Sequence, residues 1–509
     1  MFIKVQSATN LGLDTIGVDI ELNISNKGLP GFEIVGLAGK SVGESKERVR
    51  TAIANSGMEF PQKRIIVNLA PADFPKEGSF YDLPIAIGIL SSILEFKIPE
   101  KSLFFGELSL DGTLRHTRGA LLLALFAREK GFRNIFVPKQ SSNEAAIISG
   151  IKVFPLQTLQ ELVSNLLGKI KIMPAKYEQK RCPGNGFSEF DMAEILGQEQ
   201  AKRAVEIAAS GGHNIFMVGS PGSGKTMLAR AVPGILPYLD EKESLEVTKV
   251  YSASGNIPPD GSIITICPFR SPHHTISQIG LVGGGSNPSP GEISLAHRGV
   301  LFLDEFPEFP RSIMEALRQP IEDGVLTIAR SRARVKYPAR FMLIASANPC
   351  PCGYLYHPKK ACVCSEREIK KYKKRISGPI LDRIDLHVEV PVVEADAFSE
   401  DEKKRPREFS SAVKQRVLLA REIQRERFLN ENIFINAEMK NKHIKKYCLI
   451  SKQARQILNQ AIASFNLSAR SYFKMIKIAR TIADLSKTEI IGANHIAEAL
   501  QYRSKFYET

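Results

Sequence analysis

The chain contains no tryptophan, and its seven cysteines are too few and too odd a number for the disulfide framework of a secreted protein of 509 residues. It also lacks a run of 18 apolar residues, which excludes an ordinary membrane-spanning helix. The first 25 residues, MFIKVQSATNLGLDTIGVDIELNIS, interleave polar and apolar residues, so they have no uninterrupted apolar core of the signal-peptide kind. A soluble, cytoplasmic protein without a membrane partner is the expectation. Acidic residues are outnumbered as well: 54 Asp and Glu face 69 Lys and Arg, a net charge of +15 that favours polyanionic partners, nucleic acid first among them.

What is present is the material of a folded protein, 43% hydrophobic and 24% charged. The length suits about three domains at roughly 150 residues each. Residues 1–167 alternate short strands (DTIGVDIELNI, KRIIVNLA) with helical stretches (SKERVRTAIANSG, ALLLALFAREKG), an α+β domain. A basic, Pro- and Gly-containing linker follows at 168–189. Residues 190–394 give helix, buried strand, glycine-rich turn and helix, the order of a nucleotide-binding α/β core. From 395 to 509 the strand signals end and helical periodicity takes over. The acidic-to-basic stretch SEDEKKRPRE, 399–408, reads as a solvated loop. The fold class is therefore α/β and multidomain.

The strongest motif is GSPGSGKT: Gly219, Ser220, Pro221, Gly222, Ser223, Gly224, Lys225 and Thr226. It fits the phosphate-loop pattern and lies between a predicted strand and a predicted helix, the context that pattern requires. Glycines let backbone N–H groups converge on phosphate, Lys225 reaches the β and γ phosphates, and the Thr226 hydroxyl suits Mg²⁺. ATP and Mg²⁺ are the implied ligands. A hydrolase also needs a second metal contact and a carboxylate to orient water, and the apolar strand in RGVLFLDEF ends in Asp304 and Glu305. Asp304 is assigned to the metal shell and Glu305 to water activation. A third apolar strand, RFMLIASANP, ends in Asn348, suited to hold the attacking water or the γ phosphate.

Four of the cysteines, Cys350, Cys352, Cys362 and Cys364, fall in CPCGYLYHPKKACVC. Four thiolates suit one Zn²⁺, although one-residue gaps are tighter than the usual two to four, and reduced structural cysteines in a hairpin are the alternative. His357 between the pairs is a poor fifth ligand. Lys359, Lys360, Lys370, Lys371, Lys373, Lys374 and Arg375 stand beside the cluster, so a metal-pinned basic insertion suits DNA; loss of metal is expected to loosen that insertion and spare the ATPase core. Just upstream, DGVLTIARSRARVKYPARF reads as a β-hairpin with Arg330, Arg332, Arg334 and Lys336 at period two, which places all four charges on one face of one strand, either to follow a phosphate backbone or to guard a sheet edge.

Together, GSPGSGKT, CPFRSPHH, HRGVLFLDEFPEF, SANPCPCG, SGPILDRIDL and SARSYFKMIKIARTIADL resemble the YifB/ComM family of magnesium-chelatase-like AAA+ ATPases across essentially the whole chain. The resemblance implies a hexameric ring with ATP between subunits. Arg383 in LDRID would be the arginine finger reaching a neighbour's γ phosphate, and Arg470 in SARSY the sensor arginine of a helical lid; Arg375 and Arg480 are nearby competitors, and surface ion pairs the alternative role. CPFRSPHH, with Phe269, Arg270, His273 and His274, would be an insert within the second helix of the core, and the hairpin before the sensor strand would line the pore. The first domain resembles the Lon-protease fold without its catalytic pair: Phe80 occupies the serine position and Leu121 the lysine position, while Ser79 stands one position early. The implied function is an ATP-driven DNA helicase acting on single-stranded and branched DNA in branch migration during natural transformation and recombination. The rivals are a metal-insertion motor of the chelatase kind and, less well matched, an ATP-dependent protease.

Overall fold

A computed structural model describes residues 1–177, 188–393 and 407–504, apart from 38, 75, 77, 259, 286, 287, 331, 332 and 466. Among these residues no helix is long and apolar enough to cross a membrane. Most of the segment 399–408, and the boundary expected at 395, lie outside them.

The N-terminal part is built on two sheets. Strand Asp14–Ser25 buries Val18, Ile20, Leu22 and Ile24 at period two, and it pairs antiparallel with Phe2–Leu11 on one side and Arg64–Ala70 on the other. Gly31–Val35 closes that sheet in parallel, while Ser102–Phe104, Asn134–Pro138 and Lys152–Leu156 form a separate parallel sheet. The apolar helix Asp82–Leu94 fills the space beneath the first, and its buried Asp82 is held by Arg48 at 2.8 and 3.2 Å.

The central part carries a five-stranded parallel sheet in the order 269–270, 300–303, 342–347, 215–218, 386–389. Val300–Leu303 and Met342–Ala347 are buried at every position and Ile215–Val218 at all but the last, as strands covered on both faces should be, which is why they read as apolar runs broken only by Ser346. Because the strands are parallel, their C-terminal ends share one edge of the sheet, and ligands of open α/β sheets bind at that edge.

The C-terminal helices pack directly on the central part. Val417, Ile478 and Ile482 join Val205, Ile215, Ile344 and Leu386 in one continuous buried cluster. Arg480 is 1% exposed and spent on Asp484, with further donation to the carbonyls of Thr488 and Glu489, so this competitor of Arg470 is a structural residue.

Two sequence expectations are corrected here. Arg330 does not share a strand with Arg334 and Lys336, because the chain reverses after it: Val325–Arg330 pairs antiparallel with Ala333–Pro338. Arg334 and Lys336 are exposed on the second strand, and Arg332 lies outside the described residues. The opposite face of that hairpin is apolar. Ile328, Val335 and Tyr337 bury against Leu11 and Leu13 of the N-terminal part, and Gly12 meets Val335 so closely that a Cβ there would sit 2.1 Å from its Cγ1. The second correction concerns CPFRSPHH: Phe269–Arg270 forms the edge strand of the central sheet, parallel to Val300–Leu303, and is not an interruption of a helix. The helical interruption is the two-stranded ribbon Gly283–Gly284 with Ser289–Pro290, between the helices Gln278–Val282 and Glu292–Leu295.

Candidate functional site

The phosphate loop leaves strand Ile215–Val218 at the C-terminal edge of the sheet and opens directly into the helix Lys225–Ile235. Gly222 and Gly224 have φ of +77° and +93°, conformations that L side chains rarely adopt, and nothing lies within 4 Å of a Cβ built on either. The loop therefore presents open space before a helix N-terminus, the setting in which backbone N–H groups hold phosphate. Gly219 is constrained from behind, since a Cβ there would lie 2.2 Å from the Val390 carbonyl oxygen.

Lys225 folds back over this loop. Its Nζ donates to the carbonyls of Gly219 at 2.7 Å and Ser220 at 2.9 Å, and it stands 3.4 Å from Asn348 Oδ1. Burial lowers its pKa to about 8, because the ammonium has left water for neutral oxygens. A phosphate would add its counter-charge to that of the nearby Asp304 and Glu305 carboxylates.

Thr226 Oγ1 donates to Asp304 Oδ2 at 2.8 Å, and Ser346 donates to Asp304 Oδ1. A hydroxyl and a carboxylate converging beside a phosphate cradle are the hard oxygen donors that Mg²⁺ prefers, so these residues fit that ion. Glu305 follows in the left-handed region at φ +51°, a conformation uncommon outside glycine that recurs at functional sites. Its backbone N–H is held by Asp304 Oδ1 at 3.0 Å and Ser346 Oγ at 3.2 Å, while its side chain stays 56% exposed. His274 Nδ1 approaches Glu305 Oε2 to 3.6 Å. The structure thus brings Lys225, Thr226, Asp304, Glu305 and Asn348 to one edge of the sheet. Sequence reading did not find Ser346 or give His274 this neighbour; Ser346 was signalled only by being a hydroxyl in an otherwise apolar strand.

Arg383 and Arg470 are elsewhere. Asp385 N and Leu386 N both donate to the Asn214 carbonyl, and Asn214 Nδ2 donates to the Arg383 carbonyl, so Arg383 sits where strand Ile215–Val218 begins. The phosphate loop sits where that strand ends, four residues and about 13 Å away. Arg383 Nε lies 3.1 Å from Glu322 Oε2, and Arg470 Nη1 lies 3.6 Å from Glu322 Oε1. Glu322 thereby gathers both arginines, and the Arg383 guanidinium holds its carboxyl below the usual range. Nothing in the sequence signalled Glu322, which lies 61 residues from Arg383.

The four clustered cysteines meet in space: their Sγ atoms lie within 4.8 Å of one another. Cys350 stands 3.4 Å from Cys352 and 3.6 Å from Cys362, and Cys352 stands 3.5 Å from Cys362. These separations approach the ~3.8 Å edge of a tetrahedron with ~2.3 Å metal–sulfur bonds, and tetrathiolate is a donor set that suits Zn²⁺. Burial pushes the Cys350 thiol up, whereas the backbone N–H of Tyr354 draws Cys352 down to about 6. His357 faces another way, accepting from the backbone N–H groups of Lys359 and Lys360 at 3.1 and 3.0 Å.

Beyond the cluster, the helix Glu366–Lys373 and the residues after it line a groove of about 1000 Å³. Its walls carry Arg311, Arg367, Lys370, Lys371, Lys374 and Arg375, opposed by Glu308 and Glu366. Positions 367, 370, 371 and 374 share one helical face. Arg375, the competitor of Arg383, is engaged with Glu308 at 2.7 Å in this groove. Lys373 points away and is buried.

Three parts of the chain match known families: residues 191–398 match "Magnesium chelatase, subunit ChlI", residues 20–141 match "Subunit ChlI of Mg-chelatase", and residues 407–503 match "Magnesium chelatase, subunit ChlI C-terminal". The chain is 42% identical over 504 residues to the competence protein ComM of Haemophilus influenzae, covering 98% of this chain and 97% of that protein. It is 42% identical over 506 residues to the uncharacterized protein YifB of Escherichia coli, covering 98% and 96%. Similarity to the magnesium-chelatase 38 kDa subunit of Rhodobacter capsulatus is 28% over 179 residues, 31% of this chain and 50% of that subunit.

Proposed function

The chain belongs to the YifB/ComM family of magnesium-chelatase-like AAA+ ATPases, and from that premise we propose that it works as a homo-hexameric ring in the cytoplasm, hydrolyses ATP between subunits and moves along DNA. Its task in this reading is helicase-driven branch migration of incoming single strands during natural transformation and homologous recombination. The observation that carries the interfacial site is the separation of Arg383 and Arg470 from their own phosphate loop, across the length of a sheet strand. A site lacking cationic help on the γ phosphate is completed when a second copy presents that arginine edge. Lys225 and the loop N–H groups would hold the phosphates, Thr226 and Asp304 would hold Mg²⁺, Glu305 would take the proton of the attacking water, and Asn348 would orient that water. The ion would neutralise charge on the transferred phosphoryl group.

DNA as the track rests on the groove with six cations against two carboxylates, on the net charge of +15, and on the competence name borne by a relative that matches nearly end to end. The chelatase reading rests on the three chelatase-subunit family matches, but similarity to the magnesium-chelatase 38 kDa subunit itself covers 31% of the chain, against 98% for the competence protein. The protease reading, from the Lon-like resemblance of the first domain, is weaker: Leu121 is fully buried, and the Ser79 hydroxyl donates to the carboxylate of Glu107.

The test is a Lys370→Ala, Lys371→Ala, Lys374→Ala chain. If the groove follows a phosphate backbone, binding to single strands should weaken whatever the sequence, because phosphates carry no base identity. The slope of log affinity against log salt should fall by roughly 0.7 for each contact removed, about 2 in all. ATP affinity should hold while stimulation of hydrolysis by DNA declines. An unaltered salt slope would shift the DNA path to the exposed Arg334 and Lys336 of the hairpin.

A further inference from the structure

The four-cysteine loop is not a detached insertion. It begins two residues after Asn348, and its first member, Cys350, is fully buried. The chain then turns, with Gly353 N donating to the Cys350 carbonyl at 3.0 Å, and Gly353 takes up φ +82°. A Cβ on Gly353 would lie 2.6 Å from Pro221 Cδ, 2.7 Å from Pro221 Cγ and 3.8 Å from Asn348 Cγ. The loop is therefore pressed against the phosphate loop with no room for a methyl group. Pro221 is a rigid ring, so that contact is not relieved by a side-chain rotation.

The far end of the loop returns to the same place. Cys352 N donates to Cys364 Sγ at 3.4 Å, tying the two cysteine pairs together. Ser365, next in the chain, caps the helix Glu366–Lys373 by accepting from Glu368 N, and Tyr372 of that helix meets the Asn348 backbone N–H. Asn348 thus lies between Gly353, inside the cysteine loop, and Tyr372, on the helix that follows it.

We propose that the four-thiolate site is a positioning element of the nucleotide site: Zn²⁺ on Cys350, Cys352, Cys362 and Cys364 fixes Gly353 against Pro221 and Asn348 against Lys225, so metal occupancy sets ATP turnover. This rests on the readings that the cluster takes zinc and that the loop takes ATP. Without the metal, no coordinate bond ties the two cysteine pairs to one another, and the turn at Gly353 loses its anchor. Displacements of about 1 Å at a reacting centre are enough to lower a rate by about 10²-fold.

The experiment uses the full chain in four forms: unaltered, Gly353→Ala, the double variant Cys362→Ser, Cys364→Ser, and Val363→Ala as a control at an exposed position between two ligands. Zinc per chain, affinity for a fluorescent ADP analogue, steady-state ATP hydrolysis and circular dichroism are measured on each. The unaltered chain and Val363→Ala should carry about one zinc and behave alike. Gly353→Ala should keep its zinc and lose about 10- to 10²-fold in kcat/KM. The double variant should lose zinc with a similar fall in turnover. If that variant does not fold, removal of zinc from the unaltered, folded chain by a chelator takes its place. A zinc-replete Gly353→Ala chain with unchanged nucleotide affinity and turnover overturns the inference and leaves the metal reading standing. An unaltered chain prepared without chelator and free of zinc overturns the metal reading, and the inference with it.

Discussion

An Arg383→Ala chain is expected to bind ATP as the unaltered chain does and to hydrolyse it about 10³-fold more slowly or worse, the range seen when an arginine finger is withdrawn. The reason is positional. Arg383 lies about a strand's length from the phosphate loop of its own subunit, so it contributes nothing to ground-state binding there. In a ring it would face the neighbour's γ phosphate, where its planar, permanently charged guanidinium meets charge that grows toward the transition state. In the single chain the same guanidinium, on a side chain 16% exposed, rests on the Glu322 carboxylate, an ion pair that neutralises it until a phosphate competes. If that pair is its whole role, Arg383→Ala should cost stability and leave turnover per folded chain intact. Mixing Arg383→Ala with Lys225→Ala chains separates the two cases further: mixed rings contain some interfaces with an intact loop and an intact arginine, so part of the lost activity should return. Mixed rings that form without any rescue would count against action between subunits.

The second large effect is expected at Glu305. Glu305→Gln keeps the size of the side chain and leaves Asp304, Thr226 and Lys225 in place, yet removes the carboxylate that receives a proton. Turnover should fall by about 10²- to 10⁴-fold while ATP still binds. The two hydroxyls on Asp304 are the structural reason for expecting so clean a separation: Thr226 and Ser346 occupy its two oxygens, so the metal-binding carboxylate is oriented without help from the Glu305 side chain. Lys225→Ala should behave oppositely and lose nucleotide binding outright, since it removes the charge over the phosphate cradle. Near-normal hydrolysis by Glu305→Gln would transfer the base to another group, with His274, 3.6 Å from Glu305, the first to examine.

The parts of this site that lie within a few residues of one another in sequence were legible from sequence. A glycine-rich turn between an apolar strand and a helix, and two buried strands ending in Asp304 and Asn348, carry their geometry in their order, because parallel strands must end on the same edge. What sequence did not reveal depends on distant pairings. Glu322 finds Arg383 and Arg470 only through the fold, and Arg470 was separable from Arg480 only once burial showed Arg480 committed to Asp484. The hairpin itself was legible, but not where it turns: arginine at every second residue continues through the reversal after Arg330, without the Gly, Asn or Pro that usually marks a turn, so Arg330 reads as part of the second strand. Phe269–Arg270 was missed because two residues are too few for any period to register. The closeness of Gly353 to Pro221 joins segments more than 130 residues apart, and it turns what reads as an independent cysteine insertion into a wall of the phosphate loop.

The central claim is that ATP hydrolysis at this site drives movement along DNA. The most direct measurement incubates the purified chain with Mg²⁺, ATP and a three-stranded branched DNA and follows release of the labelled strand on a native gel. The account predicts displacement that requires ATP hydrolysis, is absent with Glu305→Gln, and is restored in part by mixing Arg383→Ala with Lys225→Ala. Robust ATP hydrolysis with no strand displaced on any branched substrate would contradict it.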